Sequence, residues 1–290
     1  MLYKNKRPLL IFLLPSLLIM IIFLYYPFIL NAINSLYDLS GIVQIEPPTF
    51  IGLENYRRLF TDPKIKIALA NSFKMMGLTI VFQVGLALIL ALMVDSIKKG
   101  QQFFRTIFFF PIVISATAIG LMFTLFYNYN GGMLNQILAK FSKEPVMWLS
   151  PERAFSMIAI PIIWQYVGFY FIILITGLKN ISSDIYEASE MDGCTGLKKV
   201  IYIKIPLIRN VIGTCLVLAI TGTLKVFDLP WVIAPYGAPS GLTHFTGTYM
   251  YETTFAVGNV DYGSTIALMI VVLGVVVSQV VNKVFKQQEL

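Results

Sequence analysis

Hydrophobic positions along this chain neither alternate nor trace a 3.6-residue stripe; they run on without interruption. A helix needs about 20 mostly apolar residues to cross a bilayer. Six runs reach that length, at 9–30, 75–94, 106–127, 155–178, 211–229 and 264–284. Unbroken runs predict helices, because barrel strands would alternate between lipid and lumen. The fold class expected is an all-α integral membrane protein with six transmembrane helices. It forms a single domain over 1–290, with a loop at 179–210 between helices 4 and 5.

The first run follows Lys4, Lys6 and Arg7, as a signal peptide would. It exceeds the roughly 7–15 residues of such a peptide's apolar core, and Asn31-Ala32-Ile33 is a poor cleavage site. A retained anchor is expected. With the N-terminus inside, the inner segments hold 13 Lys and Arg and the outer ones 8, with Lys225 left inside a span. The outer loop 230–263 has none. Positive charge gathers on the cytoplasmic side of membrane proteins, so both termini are expected in the cytoplasm. Pro15, Pro111, Pro161, Gly213 and Gly222 fall within four of the spans, where prolines kink helices and small residues let them cross closely.

Composition agrees with this picture and narrows the chemistry. Hydrophobic residues make up 57% and charged residues 13%, against about 25% charged in soluble domains. Mean hydropathy is +0.75. The net charge of +7 reflects basic cytoplasmic loops rather than a nucleic-acid partner. One histidine and two cysteines leave little for a zinc site, a disulfide scaffold or a His-based catalytic centre. His244 is read as structural, and Cys194 and Cys215 as small packing residues.

At 32 residues, the loop 179–210 is too long for a bare connector. Ser183 is a suitable N-cap, and Asp184 and Glu187 place negative charge in the first helical turn. Gly193 suits the C′ position that ends a helix over 184–192. Thr195 can cap a second helix, which Pro206 limits. The first helix mixes Ile185, Tyr186, Ala188, Ser189 and Met191 with acidic residues. Such a helix either docks into a groove on a partner or rests on the membrane surface.

Glu187-Ala188-Ser189, then Gly193, then Ile203-Lys204-Ile205-Pro206 resembles the signature of permease subunits of binding-protein-dependent ABC importers. The usual pattern is Glu-Ala-Ala, three residues, Gly, nine residues, Ile, one residue, Leu-Pro. Ser189 and Ile205 depart from it conservatively. Two further segments resemble the sugar (maltose-type) branch. One is Phe50-Ile-Gly-Leu-Glu-Asn-Tyr-Arg-Arg-Leu-Phe-Thr-Asp62 with Ala70-Asn71-Ser72. The other runs from Phe227-Asp228 through Ala234-Pro235-Tyr236-Gly237-Ala238-Pro239 to Gly263, with Ala238 where the branch often has Gly.

The resemblance implies a permease subunit in a bacterial-type cytoplasmic membrane, paired with a second permease that is usually a different chain. Two ATPase subunits would bind beneath the pair, and an extracellular solute-binding protein would deliver a sugar or oligosaccharide. It also implies that the loop 179–210 holds a coupling helix, with Tyr186, Glu187, Ala188, Ser189, Asp192 and Gly193 contacting an ATPase. The chain has no Gly-x-x-x-x-Gly-Lys-Ser/Thr phosphate loop. It is therefore expected not to be an enzyme, and to hold no cofactor. ATP and Mg would belong to the partner ATPase.

Polar side chains inside spans are costly to expose to lipid and mark pathways or helix contacts. Gln83, Trp164, Gln165, Tyr166, Tyr170, Thr221, Thr223, Lys225 and Asp228 are such residues. Aromatic faces stack on sugar rings while carboxamides and carboxylates bind hydroxyls, so Trp164, Gln165, Tyr166 and Tyr170 have the required chemistry. Tyr166 and Tyr170, four apart, share a helix face. Lys225 and Asp228, three apart, either pair with each other or leave Lys225 to reach the outer interface. Glycerol phosphate or another polar solute is an alternative cargo, and a stand-alone secondary transporter a different architecture. The latter usually shows internal repeats and midplane charges, which this sequence lacks. A membrane-embedded enzyme would need a converging acid, base or metal set.

Overall fold

The computed structural model describes residues 7–39, 47–97 and 99–285, with side chains from Ile11 onward. Two compact units emerge, Met1–Asp62 with Met250–Val271, and Pro63–Tyr249 with Val272–Leu290. The first contains helix α1 (Ile11–Asn34), a short antiparallel pair of β1 (Tyr37–Asp38) and β2 (Thr49–Phe50) in register Tyr37 to Phe50, and α2 (Glu54–Thr61).

Helix α1 has 24 residues, none of its most apolar window is buried, and Phe12 is 82% exposed. A patch this large and apolar requires lipid or a partner. At 1.5 Å per residue, 24 residues reach about 36 Å, enough to cross a core of about 30 Å. Further along the same unit the contacts become polar. Asn55 donates to Asp261 Oδ2 (3.1 Å) and Ser35 O (3.4 Å). The Arg58 guanidinium stacks on Tyr262 at 4.0 Å, and the Tyr262 hydroxyl donates to Asp62 at 2.8 Å. Helix α13 (Val260–Phe285) starts four residues before the predicted sixth span, because Asp261 and Tyr262 bind protein rather than face lipid.

The second unit holds α3 (Pro63–Asp95), α4 (Gln101–Val113), α5 (Ala116–Tyr127) and α6 (Met133–Lys140), followed by α7 (Ala154–Lys179). After the loop helices come α10 (Arg209–Leu224), α11 (Asp228–Ile233) and α12 (Thr246–Tyr251). Helix α3 has 33 residues and begins twelve before the predicted 75. The apolar run hides this start, since Pro63 fits the first turn, where a missing N–H costs nothing. Its early polar residues face protein: Asn71 donates to Leu242 O (2.7 Å) and His244 O (2.9 Å), and Ser72 meets Thr246 at 3.1 Å.

The predicted third span, 106–127, is two helices bent by 88° and separated at Ile114-Ser115. Pro111 removes one backbone donor, and Ile114 is extended (ψ 136°). The predicted fifth span still runs as one candidate span, Arg209–Ile233, although its regular helix is interrupted between Leu224 and Asp228. Pro161 behaves differently, because α7 continues through it for 26 residues. The carbonyl that Pro161 leaves without a donor, four residues back at Met157, accepts from the Tyr127 hydroxyl at 2.9 Å.

Two apolar clusters build this unit. In one, Ala87, Ala91 and Val94 of α3 pack on Phe171, Leu174, Ile175 and Leu178 of α7; the alanines, four apart, permit close crossing. In the other, Met75, Ile119, Ile158 and Ile162 surround Leu229, Ile233 and Phe245.

Candidate functional site

A cavity of about 340 Å³ opens within the second unit. Helix α3 contributes Thr79 and Gln83, α7 contributes Gln165, Tyr166 and Tyr170, and the end of α10 contributes Gly222 and Thr223. Lys225 and Asp228, both exposed, complete it at the break that separates α10 from α11. A continuous helix would have stacked these charges on its own turns; the break turns them into the space instead.

The carboxamides hold the walls. Gln83 is 3% exposed and donates to Ile162 O at 2.9 Å. Gln165 donates to Ile114 O at 3.3 Å, the carbonyl at the 88° bend. Its Oε1 is buried without a partner. A buried acceptor left unpaired is costly, and this one belongs to a cavity-lining side chain. Thr223 donates to Ala219 O and lies 3.4 Å from the Thr79 hydroxyl.

Several residues chosen from sequence thus meet here: Gln83, Gln165, Tyr166, Tyr170 and Asp228. Two do not. Thr221 does not line the cavity and donates back to Val217 O at 2.6 Å. Trp164 is 40% exposed and borders a separate apolar groove with Phe82 and Ile160. No ion pair joins Lys225 to Asp228 among the described residues. His244 is buried, with Nδ1 3.4 Å from the Thr248 hydroxyl and its ring 5.3 Å from that of Tyr249. Among the described residues, no group of His, Cys, Asp and Glu could hold a metal ion.

The loop 179–210 forms two helices, α8 (Ser183–Met191) and α9 (196–207). The cap is Ser182 rather than Ser183: its hydroxyl accepts from the Asp184 N–H at 3.2 Å. Gly193 turns the chain at φ 73°, as a C′ glycine does. Helix α9 carries Pro206 in its last turn and ends one residue later at Leu207, as expected where a proline removes a backbone donor.

Glu187, Ala188, Asp192 and Gly193 are exposed, joined by Met191 (89%) and Leu197 (72%). Ser189 and Tyr186 face the other way. Ser189 is buried and donates to Tyr186 O at 2.7 Å. Tyr186 is half-buried; burial, and then the charge of Asp95, push its hydroxyl above the ordinary tyrosine range. Lys199 binds Glu190 at 2.8 Å. That hydrogen bond and the adjacent charge hold the Glu190 carboxyl below its usual value. Lys204 binds Asp95 at 2.6 Å. The signature spacing carries no sign of this last pair, whose members lie 109 positions apart.

A chain with five helices long and apolar enough to span a membrane, and a bent pair that would make a sixth, is a multi-pass membrane protein. Residues 83–288 match the family described as binding-protein-dependent transport system inner membrane component. The chain belongs to that family of ABC transporter permeases. It is 32% identical to the probable ABC transporter permease protein YurN of Bacillus subtilis, over 99% of this chain and 98% of the relative. It is 30% identical to the lactose transport system permease protein LacF of Rhizobium radiobacter, over 92% and 90%. The arabinooligosaccharides transport system permease protein AraP of Bacillus subtilis is 27% identical over 95% and 88%. A crystal structure of a bacterial alginate ABC transporter, in complex with alginate pentasaccharide-bound periplasmic protein, contains a chain of the same fold. The TM-score is 0.83, with 22% identity, over 97% of this chain and 94% of that one.

Proposed function

We propose that this chain forms half of the translocation pathway of an importer for a sugar or oligosaccharide. The observation that carries this reading is the cavity where Tyr166 and Tyr170 meet the carboxamides Gln83 and Gln165 and the carboxylate Asp228. Aromatic faces and hydrogen-bonding side chains together suit a polyhydroxylated ring. The relatives named for lactose and arabinooligosaccharides transport support the same class of cargo.

In this reading the chain works as a single permease domain with six spans, the bent α4–α5 pair counting as one, and both termini in the cytoplasm. A different permease chain supplies the other half of the pathway. An extracellular solute-binding protein delivers the cargo. Two separate ATPase subunits bind ATP and Mg. One of them docks on the exposed edge of α8 formed by Glu187, Ala188, Asp192 and Gly193, with Tyr186 and Ser189 holding that edge from behind. The chain itself hydrolyses nothing and carries no cofactor.

Uptake of labelled oligosaccharide into vesicles holding the assembled transporter tests the pathway. Gln165→Ala and Asp228→Ala are each expected to lower uptake at least about tenfold, since a hydrogen bond to or from a charged or buried group contributes about 1.5–3 kcal/mol. Trp164→Ala, outside the cavity, should stay within about twofold of the parent. Wild-type uptake in the first two variants would remove the cavity from the pathway.

A further inference from the structure

Lys204 of α9 and Asp95, the last residue of α3, form an ion pair whose side chains are only 12% and 13% exposed. Drawing two charges out of water is costly, and apolar side chains of similar size often hold such a place as well or better. Cohesion alone therefore does not account for the pair; its geometry does. The Tyr186 ring of α8 lies 4.8 Å from the Lys199 ammonium and 5.4 Å from that of Lys204. The Tyr186 hydroxyl donates to Leu178 O, near the end of α7, at 3.4 Å. One side chain thus touches α8, α9 and α7, and through Lys204 it reaches the end of α3.

Helix α3 leads from that point to the cavity. Its last stretch, Leu86–Asp95, is regular and packed, with Ala87 and Ala91 fully buried. Immediately before it, Thr79–Gly85 is a π-helical stretch that carries the two polar cavity residues of this helix, Thr79 and Gln83. Wider π turns hold their hydrogen bonds less tightly and recur at functional sites. Asp95 lies twelve residues, about 18 Å, from Gln83.

We propose that the Lys204–Asp95 pair, keyed by Tyr186, links displacement of α8 to α3, and that the π stretch Thr79–Gly85 yields there and reshapes the cavity. The proposal rests on α8 being the ATPase docking edge. Lys204 and Asp95 are positioning residues, since they touch neither cargo nor nucleotide. Contact by itself does not establish energetic coupling, so the test measures coupling directly.

The test uses the assembled transporter with Cys194→Ala and Cys215→Ala and a reporter, Thr79→Cys. The rate of Thr79→Cys modification by a methanethiosulfonate reagent is compared with and without ATP and Mg. The parent complex is expected to show a nucleotide-dependent change in rate. Asp95→Asn and Lys204→Gln should each shrink that change about tenfold, within the range that packed networks transmit. Turnover of ATP and copurification of subunits should persist. Lys204→Arg, and the exchange Asp95→Lys with Lys204→Asp, should restore the response. A full response in either single variant, or no restoration in normally assembled exchange variants, overturns the proposal. Absence of any nucleotide response in the parent complex would instead overturn the docking reading beneath it.

Discussion

Ala188→Arg is expected to abolish ATP-driven solute accumulation while leaving the fold intact. Ala188 sits on the exposed edge of α8 beside Glu187, Met191 and Asp192, so a larger side chain there extends outward from the helix. In the proposed assembly that edge enters a groove of an ATPase. An arginine there would hold the surfaces apart and bury a charge without a partner. Losses of about 2–4 kcal/mol are usual for central interface positions, which is at least about thirtyfold in affinity. Uptake by vesicles containing the full transporter measures the effect, with thermal stability of the purified complex as the control. Undiminished uptake would mean that α8 only rests on the membrane.

The second large effect concerns stability. Gly168 of α7 faces the backbone of α4, and a Cβ at this position would overlap the Phe108 carbonyl. Backbone cannot step aside as a flexible side chain does, so Gly168→Ala forces α4 and α7 apart. Overpacking of this kind costs about 1–3 kcal/mol, and Gly168→Val should cost more. Gly77 of α3 is the contrast, since a Cβ there meets nothing within 4 Å. Gly77→Ala should be neutral or stabilising by about 0.5–1 kcal/mol, because alanine loses less backbone entropy in a helix. Thermal unfolding in detergent reports both. A Gly168→Ala protein as stable as the parent would contradict the tight α4–α7 crossing.

Length and apolarity made the spanning helices legible in the sequence, because lipid demands a long internally hydrogen-bonded segment and little else produces one. Breaks inside apolar runs were legible only as kink-forming residues such as Pro111, not as the size of the bend. Residues 106–127 read as one span because both arms are greasy, and only the backbone at Ile114 shows the bend. The polar start of α3 was missed for the opposite reason. Lys64, Lys66 and Asn71 lower the hydropathy, yet Asn71 is buried against the loop carbonyls of Leu242 and His244.

The cavity shows the same division. Residue types were readable, since Gln83, Gln165, Tyr170 and Asp228 have no good reason to face lipid. Their phase was not. Uniformly apolar helices have no polar stripe to fix rotation, so Trp164 and Thr221 were grouped with neighbours that point elsewhere. In the loop, the glycine turn at Gly193 followed from spacing. The cap shifted by one residue, because Ser182 and Ser183 are chemically equal and only the chain path selects between them. The Lys204–Asp95 pair had no sequence signal at all, since nothing local ties residues so far apart.

In the proposed assembly, a permease without its own ATPase is worked from outside through α8. A photo-crosslinking residue at Met191, the most exposed of the large apolar side chains on α8, tests it in native membranes. Irradiation is predicted to yield an adduct with a separate ATP-hydrolysing subunit, identified by mass spectrometry of the product. Recovery of label only on lipid, with the subunits present and the chain intact, would contradict the account.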